Sequence, residues 1–226
     1  MKKRILIILL VILGFSFNAK SMDFGFIVGL AIPSENVGRF FENSKRDLIM
    51  SDSTTTGNYL LRSATSLGYT IGVKGRIELS KYFQLVPSIA LCRFNQGEYD
   101  LVIPDVGLLQ DTSIGKIRVT SNVVPISLGI NAHILKSFIG LYGTADLSYS
   151  YISYSYDYVV HNIGIPLKIP PTNYSRIGFG IGAGIDVDIK LLKLNFEAKF
   201  NSMNIIGRAT DEPQKTYGTF AVGVFF

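Results

Sequence analysis

The stretch Tyr217-Gly-Thr-Phe-Ala-Val-Gly-Val-Phe-Phe226 decides the fold of this chain. Alternate residues of a β-strand lie on opposite faces, so this stretch has one continuous apolar face. The residues on that face are Phe220, Val222, Val224 and Phe226. A terminal segment usually frays in water. The pattern therefore indicates a strand that pairs with a neighbour and turns its apolar face toward a lipid bilayer.

The first residues are typical of a secretory signal peptide. Met1-Lys-Lys-Arg4 is basic, residues 5–17 are almost entirely apolar, and small residues follow up to Ser21. The apolar run is too short to span a membrane comfortably. We expect residues 1–21 to be a cleaved signal and residues 22–226 to form one exported domain.

Charge and cysteine content exclude two classes of protein. Four of the 22 basic residues lie in residues 1–21, which leaves 18 basic and 17 acidic residues and a net charge of +1. A balance so close to neutral gives no support for nucleic-acid binding. The single cysteine, Cys92, excludes an intramolecular disulfide framework, and we expect it to be a small buried residue.

Apolar residues recur with a period of two along several long segments. Residues 66–79, 177–189 and 192–201 each have one apolar face and one face of small, polar or charged residues. These segments exceed the roughly 5–6 residues of an average soluble strand and are long enough to cross a bilayer at a barrel tilt. The glycines of residues 178–184 fit a narrow lumen, where they leave room for long side chains from other strands. A transmembrane barrel is therefore favoured over a soluble β-sandwich or a lipocalin-like binder.

The order of short and long connections predicts the topology. Eight strands are predicted at about 23–32, 63–79, 83–94, 116–132, 137–153, 174–189, 192–205 and 216–226. Short turns alternate with long connections at 33–62, 95–115, 155–173 and 206–215. This pattern predicts an all-β, eight-stranded, antiparallel, up-and-down transmembrane β-barrel with both termini in the periplasm and the long connections outside the cell.

Three local features refine the prediction. A two-residue loop at Lys190-Leu191 would pair Ile189 with Leu192, Asp188 with Lys193, Ile185 with Phe196 and Ile181 with Phe200. Pro87 and Pro125 each remove a backbone donor, and β-bulges are predicted there. An aromatic girdle at the membrane boundary is predicted from Tyr149, Tyr151, Tyr154, Tyr156 and Tyr158.

Charged residues of both signs occupy the inward positions. This lumen cluster consists of Lys74, Arg76, Glu78, Asp186, Asp188, Lys193, Glu197 and Lys199. The interior of an eight-stranded barrel is only just wide enough for side chains to fill it. We therefore expect the charges to pair and fill the lumen, with a gated ion path as the alternative.

Residues for catalysis or cofactor binding are sparse. The two histidines are His133 and His161, and the latter has Asp157 and Ser155 near it in sequence. A lone loop histidine is usually solvated surface, because a catalytic triad is defined by geometry. The alternate glycines do not have the spacing of a dinucleotide-binding motif, and no His/Cys cluster suggests a metal site. We expect no catalytic residues, no metal and no cofactor.

The eight alternating segments, the Val-Pro-Ile context of Pro125 and the final Phe226 resemble the small outer-membrane β-barrel families, which include OmpA/OmpX-like and PorT-like barrels. The resemblance implies a barrel in an outer membrane, with lipid as its surroundings and the barrel assembly machinery as a partner during biogenesis. The apolar row that ends at Phe226 resembles the signature which that machinery recognises. No catalytic set is implied.

Apolar groups in the long connections suggest a contact surface. They occur at residues 39–41, 48–50, 101–109 and 163–171, and exposed apolar groups often mark binding sites. The predicted function is a non-enzymatic structural or interaction barrel that presents four loops to a surface or envelope partner. The alternatives are a secretion or assembly accessory, a small channel, and a lipid-modifying or proteolytic enzyme at the barrel rim.

Overall fold

Nine β-strands occupy most of the residues that the computed structural model describes, which are 22–34, 60–62, 67–103, 112–160, 172–189, 191–208, 212 and 214–226. The strands are β1 (Met22–Pro33), β2 (Leu60–Arg62), β3 (Gly68–Glu78), β4 (Phe83–Ile103), β5 (Thr112–Leu135), β6 (Ile139–Val160), β7 (Thr172–Ile189), β8 (Leu192–Ile206) and β9 (Thr216–Phe225). The predicted signal peptide, His161 and the apolar groups at 39–41, 48–50, 104–109 and 163–171 lie outside the described residues.

Eight of these strands form a closed antiparallel ring. Sequence neighbours pair from β3 through to β9, and β1 closes the ring by pairing with both β3 and β9. The short β2 pairs with β4 beyond the start of β3, at Asp100–Val102. The predicted eight-stranded antiparallel barrel is confirmed. No helix in the described part of the chain is long and apolar enough to cross a membrane.

The two ends of the barrel differ. One end, here called the turn end, carries the short connections that join β3 to β4, β5 to β6 and β7 to β8, together with Met22 and Phe226. At the opposite end, the loop end, β4, β5 and β6 run farther than predicted. Residues 95–103, 112–115 and 155–160 were predicted as connections but lie in strands, because neighbouring strands continue to satisfy each other's backbone groups there.

The register at the β7–β8 turn is the predicted one. Ile189 pairs with Leu192, Asp188 with Lys193, Ile185 with Phe196 and Ile181 with Phe200. A two-residue loop fixes this register, and a one-residue slip would move every side chain to the other face. The apolar row of β9 faces outward, with Phe220 57% and Phe226 66% exposed, whereas Phe225 faces the lumen and is buried.

The prediction of β-bulges at the two prolines is wrong. Pro87 pairs with Leu128 and Pro125 with Ser150 without any shift of register. Each proline removes one backbone donor, but the regular pairs on either side of it keep the register unchanged. The register shifts occur elsewhere, for example between Phe94 and Gly97 of β4. The inward and outward faces of β5 keep the same alternation across Pro125, since Val123 is buried and Ile126 and Leu128 are exposed.

The aromatic girdle is only partly as predicted. Tyr149 and Tyr151 face outward and are half exposed, as expected for residues at a membrane boundary. The prediction for Tyr154 is wrong, since its ring lies inside the barrel and is 5% exposed. Tyr156 and Tyr158 lie in β6, outside the residues whose side chains are described.

Replacing an outward isoleucine by arginine tests which surface faces lipid. Ile185 and Ile189 are both exposed on β7, but Ile185 lies four residues farther from the turn end. We expect Ile185→Arg to lower the free energy of unfolding from vesicles by about 2–4 kcal/mol, because it places a charge near the bilayer midplane. The matched variant Ile189→Arg, near the boundary, should lower it by about 0–1 kcal/mol. An equal loss of unfolding free energy for the two variants in denaturant titrations would contradict the placement of Ile185 near the bilayer midplane and of Ile189 near its boundary.

Candidate functional site

Glycines on β7 make room for long side chains in the lumen. A Cβ on Gly184 would lie 2.3 Å from Cζ of Tyr142, and a Cβ on Gly180 would lie 2.4 Å from Cε of Lys199. Both contacts are closer than real side chains tolerate. The glycine row therefore lets Tyr142 and Lys199 cross the narrow interior.

A buried ion pair lies at the centre of the lumen. Lys74 Nζ of β3 is 2.6 Å from Glu197 Oε1 of β8, and both side chains are less than 10% exposed. Tyr142 donates to Glu197 Oε2 at 3.0 Å, and Asn195 Nδ2 donates to the Tyr142 hydroxyl at 2.7 Å. Both carboxylate oxygens are thus satisfied, as a buried charge requires.

Arg76 joins three strands nearer to the turn end. Its Nη1 lies 3.0 Å from each carboxylate oxygen of Asp186 on β7. Its Cζ lies 3.7 Å from the ring centroid of Phe225 on β9, which is a cation–π contact. Asn195 Nδ2 also donates to Asp186 Oδ1 at 2.8 Å, so the Arg76 and Lys74 pairs form one network.

The remaining members of the predicted lumen cluster lie toward the turn end or pair across the barrel. Glu78 contacts Lys136 Nζ at 2.5 Å, and Lys199 forms an ion pair with Asp146. Lys193 lies beside Asp188 in the register, yet its Nζ is 2.6 Å from Asp23 Oδ2 on β1. Asp188 is exposed at the turn end.

Asp23, Tyr142, Asp146 and Asn195 complete these networks. Sequence reasoning missed the first three, and it placed Asn195 on the polar face of residues 192–201 without including it in the lumen cluster. Asp23, Tyr142 and Asp146 lie on the inward sides of β1 and β6, so extending the two-residue alternation along those two strands would have found them.

An apolar layer crosses the lumen above the charged network. Cys92, Val123 and Ile152 are register neighbours on β4, β5 and β6, and none is more than 2% exposed. Phe94 and Tyr217 complete the layer with an edge-to-face ring contact, their centroids 5.5 Å apart. Met203 is also buried, at 1% exposure. The expectation that Cys92 is a small buried residue is confirmed.

A second polar cluster lies at the loop end. Arg176 of β7 donates to Glu212 Oε2 from Nε at 3.0 Å and from Nη2 at 2.8 Å. Lys215 Nζ donates to the Tyr154 hydroxyl at 2.8 Å. Burial lowers the pKa of Lys215 to about 7, with Glu212 opposing the shift and Arg176 adding to it. Neither Glu212 nor Lys215 was singled out from the sequence.

The described histidine, His133, is a buried residue of β5 that lies beside Tyr142. His133 is 7% exposed, its ring lies 5.4 Å from that of Tyr142, and neither ring nitrogen has a hydrogen-bond partner among the described residues. In the same part of the chain, no group of three or more His, Cys, Asp or Glu residues could hold a metal ion.

Comparison with known proteins shows similarity of fold. No protein-family model and no curated protein matches the chain. A major outer membrane protein from Thermus thermophilus is similar at TM-score 0.52 and 10% identity, covering 91% of this chain and 100% of that one. Neisserial surface protein A has TM-score 0.49 and 11% identity, covering 92% and 97%. The outer membrane protease OmpT from Escherichia coli has TM-score 0.45 and 8% identity, covering 92% and 96%.

At such identities the likeness concerns the fold alone. The small outer-membrane barrel fold that the resemblance implied is confirmed.

Removing one member of the central ion pair tests the lumen network. Lys74→Met should lower the free energy of unfolding by about 3–5 kcal/mol, because it leaves the Glu197 carboxylate buried without its cation. The double variant with Glu197→Gln should recover most of that loss. Lys136→Met is the matched control, and it should cost no more than about 1 kcal/mol because its pair with Glu78 is partly exposed. An unchanged stability for Lys74→Met would contradict a buried pair.

Proposed function

We propose that this chain is an integral outer-membrane β-barrel whose sealed, non-enzymatic scaffold presents its long connections at the cell surface. The observation that carries the proposal is a closed ring with an apolar outer face and a lumen filled by paired charges. In this proposal, outer-membrane lipid surrounds the barrel, and the barrel assembly machinery is its partner during insertion.

The outer face supports a membrane location. Large apolar side chains are exposed all around the ring, including Phe26 at 59%, Leu147 at 69% and Ile181 at 50%. A soluble monomer rarely exposes a contiguous apolar patch larger than a few hundred Å². Where all eight strands run side by side, the closed ladder gives every strand a neighbour on both edges, which is the condition for a β-structure to cross lipid.

The ion pairs and the apolar layer of the described lumen argue against ion conduction. An ion would have to separate the Arg76–Asp186 and Lys74–Glu197 pairs and then cross the apolar layer at Val123 and Ile152. Breaking a buried pair and dehydrating an ion in an apolar constriction are both unfavourable. A small channel is therefore less well supported than a sealed barrel.

The loop end has the features of a presented surface. β4, β5 and β6 remain paired out to Ile103, Thr112 and Val160, which extends the sheet beyond the neighbouring start of β7 at Thr172. A rigid strand extension holds its connections in place, and functional residues of barrels commonly lie on such connections. We place the loop end outside the cell and the turn end in the periplasm.

Epitope insertion tests this orientation. A tag inserted after Gly107, in the β4–β5 connection, should be labelled by antibody on intact cells. The same tag inserted after Lys81, in a short turn, should be labelled only after the outer membrane is permeabilised. Labelling of the Lys81 tag on intact cells would place the turn end outside the cell and would contradict the proposed topology.

Planar-bilayer recording tests the sealed lumen. The purified folded protein should give no resolved single-channel steps at about ±100 mV, the scale of a membrane potential, because the charge network and the apolar layer block the lumen in series. A general porin in the same bilayer serves as the positive control. Regular steps that disappear when Lys74 and Glu197 are changed would favour the channel alternative.

A further inference from the structure

One charged side chain lies on the outward face of the barrel wall. Among the outward strand residues whose side chains the structure describes, Arg93 of β4 is the only charged one, and it is exposed. Its direction is clear because Cys92 and Phe94, on either side of it, are buried in the lumen. Arg93 takes part in none of the ion pairs among the described residues. A cation in a lipid-facing wall is unfavourable unless it lies near the membrane boundary.

Arg93 marks the loop-end limit of the apolar belt on β4. The outward residues nearer to the turn end are all apolar, and they are Phe83, Leu85, Pro87, Ile89 and Leu91. The strand between Phe83 and Arg93 is about 33 Å long at its usual rise per residue. Tilted by about 40°, it covers about 25 Å along the barrel axis, which is the height of the apolar band of an outer-membrane barrel. Arg93 therefore lies at the level of the lipid headgroups.

Two polar residues continue the outward face beside Arg93. Arg93 pairs with Asn122 of β5, and Asn122 pairs with Ser153 of β6. Both neighbours are half-buried, and the residues on either side of each are buried, so Asn122 and Ser153 face outward as Arg93 does. Cross-strand neighbours on one face are about 5 Å apart at Cβ. Arg93, Asn122 and Ser153 thus form one polar row, here called the boundary row.

Exposed tyrosines flank the boundary row. Tyr69 of β3 is 40% exposed and pairs with Arg93. Tyr151 is 45% exposed and lies two residues from Ser153 toward the turn end. Tyrosine is enriched at membrane–water interfaces, where its ring contacts lipid and its hydroxyl stays in water. The two tyrosines support the same depth for the row.

The boundary row has the chemistry of an anion site. A guanidinium presents its N–H donors in a planar fork that matches two oxygens of a phosphate. The Asn122 amide and the Ser153 hydroxyl supply further donors, and neither brings a negative charge. Headgroup phosphates are the anions that lie at this depth, directly beside the guanidinium.

We propose that the boundary row is a lipid site, in which Arg93, Asn122 and Ser153 hold the phosphate of an anionic headgroup in the leaflet at the loop end. The occupant is a lipid and not free phosphate, because the outward side chains of Leu91 and Val124 beneath the row offer an apolar surface to acyl chains. The proposal rests on the membrane location proposed above and adds a specific lipid contact to it.

Quenching of a single tryptophan by brominated lipids measures the local lipid preference. The chain contains no tryptophan, so Ile71→Trp gives one reporter, opposite Leu91 in the register and just beneath the row. The full chain is folded in phosphatidylcholine vesicles that contain either brominated phosphatidic acid or brominated phosphatidylcholine. We expect phosphatidic acid to quench as if it were about fivefold enriched at the reporter, the enrichment that one cation at a membrane surface provides.

Two variants separate the members of the boundary row. Arg93→Gln should abolish the preference for phosphatidic acid, because it removes the cation. Asn122→Leu keeps the cation and should lower the preference at least about twofold, because it removes a hydrogen bond to the phosphate.

A second reporter is the matched control. Phe200→Trp lies as many residues from Leu192 on β8 as Ile71 lies from Leu79 at the end of β3, and Phe200 is exposed to a similar extent. The outward face around Phe200 carries no charge among the described residues. This reporter should therefore show no preference between the two brominated lipids.

The outcomes distinguish the site from the membrane location. A preference that persists in Arg93→Gln, or that is unchanged in Asn122→Leu, would overturn the lipid site. Quenching of both reporters by brominated phosphatidylcholine without any preference would also overturn it, leaving Arg93 as a solvated cation in a membrane barrel. Failure of either brominated lipid to quench either reporter would overturn the membrane location as well. Gel mobility of the unheated variants shows that each barrel has folded.

Discussion

The backbone pairing between β1 and β9 is the contact on which the rest of the structure depends. Phe24 N donates to Phe226 O at 3.1 Å, and Phe226 N donates to Phe24 O at 2.9 Å, at the start of a ladder that continues to Pro33 and Tyr217. Without this ladder, two strand edges would meet lipid with unsatisfied donors and acceptors, each at a cost of several kcal/mol. With it, the outer face is free to be apolar, and the diameter of the lumen is set by eight strands.

That fixed diameter explains how the interior is filled. Tyr142 and Lys199 extend into space that Gly184 and Gly180 leave open, and Lys74 reaches Glu197 on a strand far away in sequence. The Lys74–Glu197 and Arg76–Asp186 ion pairs connect opposite parts of the wall from within the lumen. Above them, the buried side chains of Phe94, Val123, Ile152 and Tyr217 fill the lumen at mid-height. A filled interior of this kind suits the proposed role of a rigid barrel that presents its long connections.

Much of this architecture was predictable because a strand in a barrel wall obeys a strict period of two. The outward row of β9 and the pairing of Ile189 with Leu192 follow from that period and from a two-residue loop. The period of two predicts whether a side chain faces the lumen or the lipid. It does not predict the position of that side chain along the barrel axis relative to a side chain on a distant strand. The pairing of Lys74 with Glu197, 123 residues apart, therefore depends on the stagger of the whole ring. Val123 and Ile152 were not recognised as lumen residues, because polarity was taken as the mark of the inward face. Tyr154 was misplaced for the same reason.

The most direct test of a closed outer-membrane barrel is electrophoresis of membrane fractions from cells that express the full chain, with and without boiling. A closed ladder resists detergent at room temperature. We therefore expect the protein in the outer-membrane fraction, and we expect the unheated band to migrate faster than the boiled one. A protein found in the soluble periplasmic fraction, with identical mobility before and after boiling, would contradict the account and return the chain to the class of soluble β-sandwiches.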